Sequence, residues 1–472
     1  MSRFANLSAF PTSRPAAVSV TTPASPIHAL GPGSVSNLRI PPILPSDRAW
    51  DHAANSRVRK VGFYFVLAFV FVRFSLLSEV FTYGMGFKPY LVIILGPPAV
   101  FLALMSGGLP RLIRCRPAWF WLGFMFWLLI ASPFSSWLGG TVRLLVPAFA
   151  TEFSMFFMVA GLALTLSECR HLCYAMAFGG AIDALLSRLA GSAETGRLSI
   201  AWGTLQNPND YATHLLVTLP FLLLVSFSGR PFARMFAALT VLFGVYVILL
   251  TGSRGAFLAV AVLMVFIVIR ASLWQRVVML TSVLLVGILA IALLPQLVLM
   301  RYMTVFSNVQ SLERTTYDEY LAAEGSQAAR QRLLRSSLSL TLQHPLVGVG
   351  PGQFSVSEAD MARSQGRRGA WQVTHNSYTE VSSEAGIPAL ILLLATISGC
   401  FYQLNSVYRR ARLNQSLTFI RDTSFCIMLC LVGFAVCIFF ASMAYRFYLP
   451  TLVALTVTFV AAARHEFAAV KR

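Results

Sequence analysis

Charge is scarce in this chain of 472 residues, and acidic charge is scarcer still: 12% of residues are charged, with 18 Asp and Glu against 37 Lys and Arg. Soluble globular domains carry about a quarter charged residues. A 57% hydrophobic composition and a mean hydropathy of +0.69 therefore exclude an ordinary soluble protein. Nucleotide-binding strings are missing as well. There is neither a Walker A motif nor a Rossmann glycine pattern, which removes the usual phosphate cradles of ATP- and NAD-dependent enzymes. No HExxH appears, and the largest polar segment has no Asp-x-Asp or paired Asp, so no metal site and no cofactor is assigned. The seven cysteines, Cys115, Cys169, Cys173, Cys400, Cys426, Cys430 and Cys437, all lie in apolar runs or short basic gaps. A disulfide framework in the large polar segment is excluded. Residues 1–56 have no apolar stretch of signal-peptide length and are rich in Pro, Ser and Ala, as expected of a disordered tail.

Long apolar runs fill the rest. They fall at 61–81, 88–108, 118–134, 144–166, 172–190, 210–227, 235–251, 255–270, 277–299, 385–404, 423–443 and 445–463. Each is near the ~20 residues needed to cross a hydrocarbon core of ~30 Å. The expected fold is an all-α polytopic membrane protein of about 12 transmembrane helices: a tail over 1–56, helices one to nine over 57–299, one large loop over 300–384 and helices ten to twelve over 385–472.

The net charge of +19 does not point to nucleic acid, because the cations are neither gathered on one polar face nor interleaved with aromatics. They sit in alternate gaps: Arg57, Arg59 and Lys60; Arg111, Arg114 and Arg116; Arg170 and His171; Arg230 and Arg234; Arg270 and Arg276; Arg409, Arg410, Arg412 and Arg421; and Lys471 with Arg472 at the C terminus. Short basic loops stay cytoplasmic, so both termini are expected inside. The 300–384 loop holds eight Arg and eight Asp or Glu and is expected outside, in the periplasm of a bacterium.

Three polar segments interrupt the apolar rhythm on that outer face. The first, GRLSIAWGTLQNPNDYA at 196–212, carries Arg197, Asn207, Asn209 and Asp210; Asn-Pro-Asn is also ordinary turn chemistry. The second, TGSRG at 251–255, sets Arg254 between two apolar runs with no acidic residue within ten positions. An arginine there either snorkels to water or meets an anion. The third is the outer loop, with an expected amphipathic helix carrying Arg330, Arg332 and Arg335, then HPLVGVGPGQF at 344–354 and THNSYTEVSSEAGIP at 374–388. His375 has a reference pKa near neutrality and can serve as a general base, or it can be a surface or capping histidine. Guanidinium groups at a membrane-adjacent site suit phosphate oxygens, which they bind bidentately while staying charged.

The ordered strings NPNDYA, LLTGSRGAFLA, HPLVGVGPGQF and HNSYTEVSSEAGIPALILLL resemble the O-antigen ligase and O-antigen polymerase superfamily, over roughly residues 190–400. The resemblance implies a membrane glycosyltransferase C type fold in the bacterial inner membrane. It also implies metal-independent transfer of a glycan from undecaprenyl diphosphate to a glycan or lipid-linked acceptor. By the same resemblance Arg254 matches the arginine of the family's Ser-Arg-Gly string, His375 the histidine of its His-Asn string, and Arg330 its loop arginine, with Arg332 as the alternative. His375, Arg254 and Arg330 are then the catalytic set. Arg197, Arg332, Asn207, Asn209, Asn376 and Glu384 are expected to bind diphosphate or glycan, with Asn376 or Glu384 orienting the imidazole. Ligase, repeat-unit polymerase and protein glycosyltransferase share the layout. The rival from another class is a transporter or flippase of lipid-linked saccharides, which would line a path through the bundle with charge; the acids within expected spans are chiefly Glu79, Glu152 and Asp183.

Overall fold

Apolar runs of this length satisfy their backbone polar groups in a bilayer by forming helices, and the computed structural model of the chain is a helical, multi-pass membrane protein. It describes residues 47–192, 196–271, 292–303, 314–366, 369 and 371–470, with scattered positions between 273 and 288. In chain order the helices used below are α1 (Asp47–Asn55), α2 (Arg57–Phe74), α3 (Leu91–Met105), α4 (Arg116–Ala131), α5 (Leu138–Leu162), α6 (Leu166–Ala190), α7 (Pro208–Ser228), α8 (Pro231–Leu250), α9 (Arg254–Arg270), α10 (Gln296–Met303), α11 (Arg314–Gln343), α12 (Phe354–Ser364), α13 (Ser377–Ala411), α14 (Thr418–Cys437) and α15 (Tyr448–Val470).

Among the described residues seven helices are long and apolar enough to cross a membrane, or eight if Arg57–Phe74 and Leu77–Gly84, bent by 67°, form one span. That is fewer than the dozen expected. The runs at 88–108, 172–190 and 255–270 do form helices, but α3 and α9 have only 15 and 17 residues. The third, α6, carries Glu168, Arg170, Asp183 and Arg188. The expected ninth span at 277–299 is described only in part, and the expected tail up to residue 46 lies outside the described residues. Residues 47–55, expected to belong to that tail, are helical. Trp50 of α1 clusters with Leu164, Ala461 and Ala462 and stacks on His465 at 4.8 Å.

The arginines of two basic gaps do more than mark topology. Arg59 is fully buried, donates to the Leu162 carbonyl at 2.6 Å and pairs with Glu168 at 2.8 Å; Arg111 donates to the Gly161 carbonyl at 2.8 Å. Both satisfy carbonyls that the end of α5 would otherwise leave open. The acids expected within spans are likewise tied. Glu79 accepts from the Thr204 amide and hydroxyl at 2.9 and 2.7 Å, Glu152 pairs with Arg73 at 2.6 Å, and Asp183 meets His214 at 2.7 Å.

Two departures from the expected spans shape the site. The first is that α13 begins at Ser377, inside the expected loop, and breaks at Gly386, whose φ of +83° only glycine adopts freely. A Cβ there would run into the Leu346 carbonyl. Pro388 has no amide to give to the Glu384 carbonyl, and the Ile387 amide turns away to Pro345 at 2.8 Å. The freed carbonyls of Ser383 and Glu384 accept instead from the amides of Val349 and Gly350, each at 2.9 Å. The HPLVGVGPGQF segment is thus bonded to the broken helix. The second departure concerns the last two spans, expected to run almost together. In the structure α14 stops at Cys437 and α15 starts at Tyr448, leaving 438–447 as a turn bearing Ser442, Tyr445 and Arg446.

Candidate functional site

Arg197 lies between the two segments of a short antiparallel pairing, of Gly191 with Ile200 and Ser192 with Ser199. Its Nε donates to the Thr251 carbonyl at 2.9 Å and its Nη2 to Asn209 Oδ1 at 3.0 Å. The first two polar segments of the sequence are therefore in contact. Gly252 adopts φ +59°, and a Cβ there would lie 3.2 Å from Arg301 Cδ and 3.5 Å from Arg197 Nε, so the bare backbone lets two arginine side chains pass. Ser253 caps α9, its Oγ accepting from the Ala256 amide at 3.4 Å. Arg254 is then the first residue of α9, with no acid in the first turn. Helix N-termini are already positive and favour acidic residues; a cation there adds to a ready anion site. Tyr302 fastens α10 alongside, donating from its hydroxyl to the Leu249 carbonyl at 2.9 Å and placing its ring 5.1 Å from Phe257.

Arg330 of α11 completes the group. It is held below its usual pKa first by burial, then by the charges of Arg254 and Arg301. Arg197 is pushed down to about 9 by burial and by Arg301, Arg330 and Arg254, against an opposing effect of Tyr302. Guanidinium groups remain protonated in proteins, so these shifts express the cost of gathering like charges away from water. A bound anion relieves that cost. Arg332 sits elsewhere: it is exposed and lines a surface recess with Gln331, Arg335 and Met361. Two residues along a helix differ by about 200° around its axis, so only one of the pair can face the arginine group, and that is Arg330.

His375 approaches from the start of α13. Its backbone is in the left-handed region at φ +55°, uncommon for a residue with a side chain. Ser442 of the 438–447 turn accepts from the His375 amide at 3.0 Å and shares a hydrogen bond with the Thr374 hydroxyl at 3.0 Å. Beside it Ser377 donates to the Ala441 carbonyl at 2.8 Å and accepts from the Met443 amide at 2.7 Å. Burial, and then the charge of Arg330, lower the His375 pKa below its ordinary 6.5, which leaves the imidazole neutral and able to take a proton at pH 7.

The other expected ligands of sugar or imidazole have different partners. Asn376 caps α13, its Oδ1 accepting from the amides of Tyr378 and Thr379 at 2.9 and 3.3 Å; an oxygen so occupied does not orient the imidazole. Glu384 accepts from the Gly352 amide at 2.7 Å, the Phe354 amide at 3.1 Å and the Tyr445 hydroxyl at 2.9 Å. It anchors the HPLVGVGPGQF segment rather than His375. Asn207 caps α7, accepting from the Asn209 amide at 2.9 Å with Pro208 at the first helical position.

Beside His375 lies a cavity of about 450 Å³, whose wall includes Arg143, Glu152, Asn207, Asp210, His375, Glu380, Glu384, Tyr445 and Arg446. Sequence reasoning passed over Arg301 and most of this wall. Arg446, a cation inside an expected span, was the signal available for the 438–447 turn. Glu152, an acid inside an expected span, gave the same kind of signal, and Glu380 lay within the THNSYTEVSSEAGIP string without being singled out. Among the described residues no group of three or more His, Cys, Asp and Glu is placed to hold a metal ion.

Comparison with protein families matches residues 239–394 to the family described as O-antigen ligase. The match takes in Arg254, Arg301, Arg330, His375 and Glu384, and leaves out Arg197, Asn209 and the 438–447 turn. None of the curated proteins matches the chain.

Proposed function

We propose that this chain, whose residues 239–394 form an O-antigen ligase domain, transfers a glycan from a lipid-linked diphosphate, such as undecaprenyl diphosphate, to an acceptor hydroxyl at the non-cytoplasmic face. The observation that supports it most is the convergence of Arg197, Arg254, Arg301 and Arg330, from four separate segments, next to a neutral His375. His375 takes the proton of the acceptor hydroxyl. The acceptor oxygen then attacks the anomeric carbon as the bond from that carbon to the diphosphate oxygen breaks. The electron pair leaves with the lipid diphosphate, whose growing charge the arginines hold, as preorganised cations do for a leaving anion. Alternate basic gaps support the non-cytoplasmic side.

The test is transfer from a defined undecaprenyl-diphosphate glycan in membranes, with and without chelator. Transfer should persist in chelator and disappear in H375A and in R254A with membrane insertion intact. Retained transfer in either variant refutes the scheme. A ladder of repeats in the product identifies a polymerase, and a single joining event a ligase.

A further inference from the structure

The cavity beside His375 differs chemically from the arginine group. Glu384 uses both oxygens on partners from the protein, whereas Glu380, only 8% exposed, has a buried Oε2 with no hydrogen-bond partner among the described residues. Glu152 repeats the pattern: Oε1 pairs with Arg73, and Oε2 is buried without a partner. It stands on a π-helical turn, Ala148–Phe153, a wide turn that occurs often at functional sites. Both residues line the same cavity as His375. A buried acceptor left unbonded is costly, and native structures keep such groups few. Two of them on one cavity wall offer paired acceptors to the hydroxyls of a ligand. The volume lies within the range of about 300–1,000 Å³ typical of small-molecule sites.

We infer that this cavity is the acceptor subsite, in which Glu380 and Glu152 accept hydrogen bonds from the hydroxyls of an uncharged sugar while His375 faces the hydroxyl that reacts. The inference rests on the transfer reading and names its acceptor chemistry: hydroxyl donors are admitted, and a uronate is disfavoured because the four carboxyls of the wall, Glu152, Asp210, Glu380 and Glu384, outnumber its two cations, Arg143 and Arg446.

Because all seven native cysteines are buried, a cysteine introduced at Ser355, on the cavity wall, reports occupancy through its reaction with a charged maleimide. Glucose or galactose should slow labelling of S355C, and glucuronate should not. Adding E380Q should leave the labelling rate without sugar unchanged, which shows that the cavity is intact, and remove the protection. A T151C reporter, also on the wall, repeats the test if S355C fails to insert. In transfer assays E380Q should raise KM for the acceptor by about tenfold, the scale of one lost hydrogen bond, with KM for the donor unchanged. Protection by none of the sugars, equal protection by glucuronate, or protection that survives E380Q overturns the inference. If the parent protein transfers nothing while neutral sugars still protect, the transfer reading falls and the sugar site stands.

Discussion

The arginine group and the carboxyl-lined cavity meet at His375 yet are assembled by opposite means. Arg197, Arg254 and Arg301 come from a turn or a helix end and Arg330 from the middle of α11, long side chains that converge from segments spread over more than a hundred residues. Nothing in the sequence near Arg254 neutralises it. Glu152, Asp210, Glu380 and Glu384 are shorter side chains carried by α5, α7 and α13, and protein groups hold Glu384 through both oxygens and Glu152 through one. Burial and mutual repulsion therefore load the cationic half, and a bound anion relieves that load. The acidic half has two carboxylate oxygens, on Glu152 and Glu380, with no donor among the described residues. A reaction that expels a diphosphate and consumes a neutral hydroxyl makes those two demands in one place.

Breaking the pivot should have the largest effect. H375A is expected to lower transfer by about 10²–10⁴-fold, the usual worth of a positioned base, measured as label transfer in membranes at equal protein level. Next, R254A or R330A should cost about 10²–10³-fold, whereas R332A, an exposed charge on the other side of α11, should cost about fivefold or less; equal losses at 330 and 332 would dissolve the arginine half as drawn. A subtler effect follows from the coupling of the halves. Burial and the Arg330 charge both favour neutral His375, so the acidic limb of the pH–rate profile should lie below pH 6.5. R330Q removes one of those causes, and the limb of its residual activity should move to higher pH. A limb that stays put would mean that the two halves do not communicate. The smallest effect belongs to the cap: N376A should lose about 1 kcal/mol of stability, seen as a lower Tm, while the neutral N376S keeps the cap and neither moves the pH limb.

The same comparison explains what could be read from the sequence. The helical membrane fold was legible because hydrocarbon demands long apolar runs. Arg254, Arg330 and His375 were legible because each breaks such a run or a recognisable string. Arg330 could not be separated from Arg332 by string alone, since that requires knowing which face of α11 is turned inward. Glu384, Glu152 and Asp210 were each named, but their gathering with Glu380 on one cavity wall was hidden for a different reason. Glu380 and Glu384 were expected in a loop, and only the cap at Asn376 together with the break at Gly386 makes their segment helical. The 438–447 turn was hidden because its polar residues are outnumbered by apolar neighbours. Residues that bond to distant backbone leave no periodic trace.

The break in α13 also bears on how such a protein can vary. Because Ser383 and Glu384 give up their helical partners to hold Val349 and Gly350, and Gly386 makes room for Leu346, the segments at 344–354 and 374–388 are halves of one mechanical joint. Neither can be exchanged in a chimera without the other. Insertions that diversify the outer loop are confined to positions before His344 or between Phe354 and Thr374, where lengthening the chain leaves that joint closed.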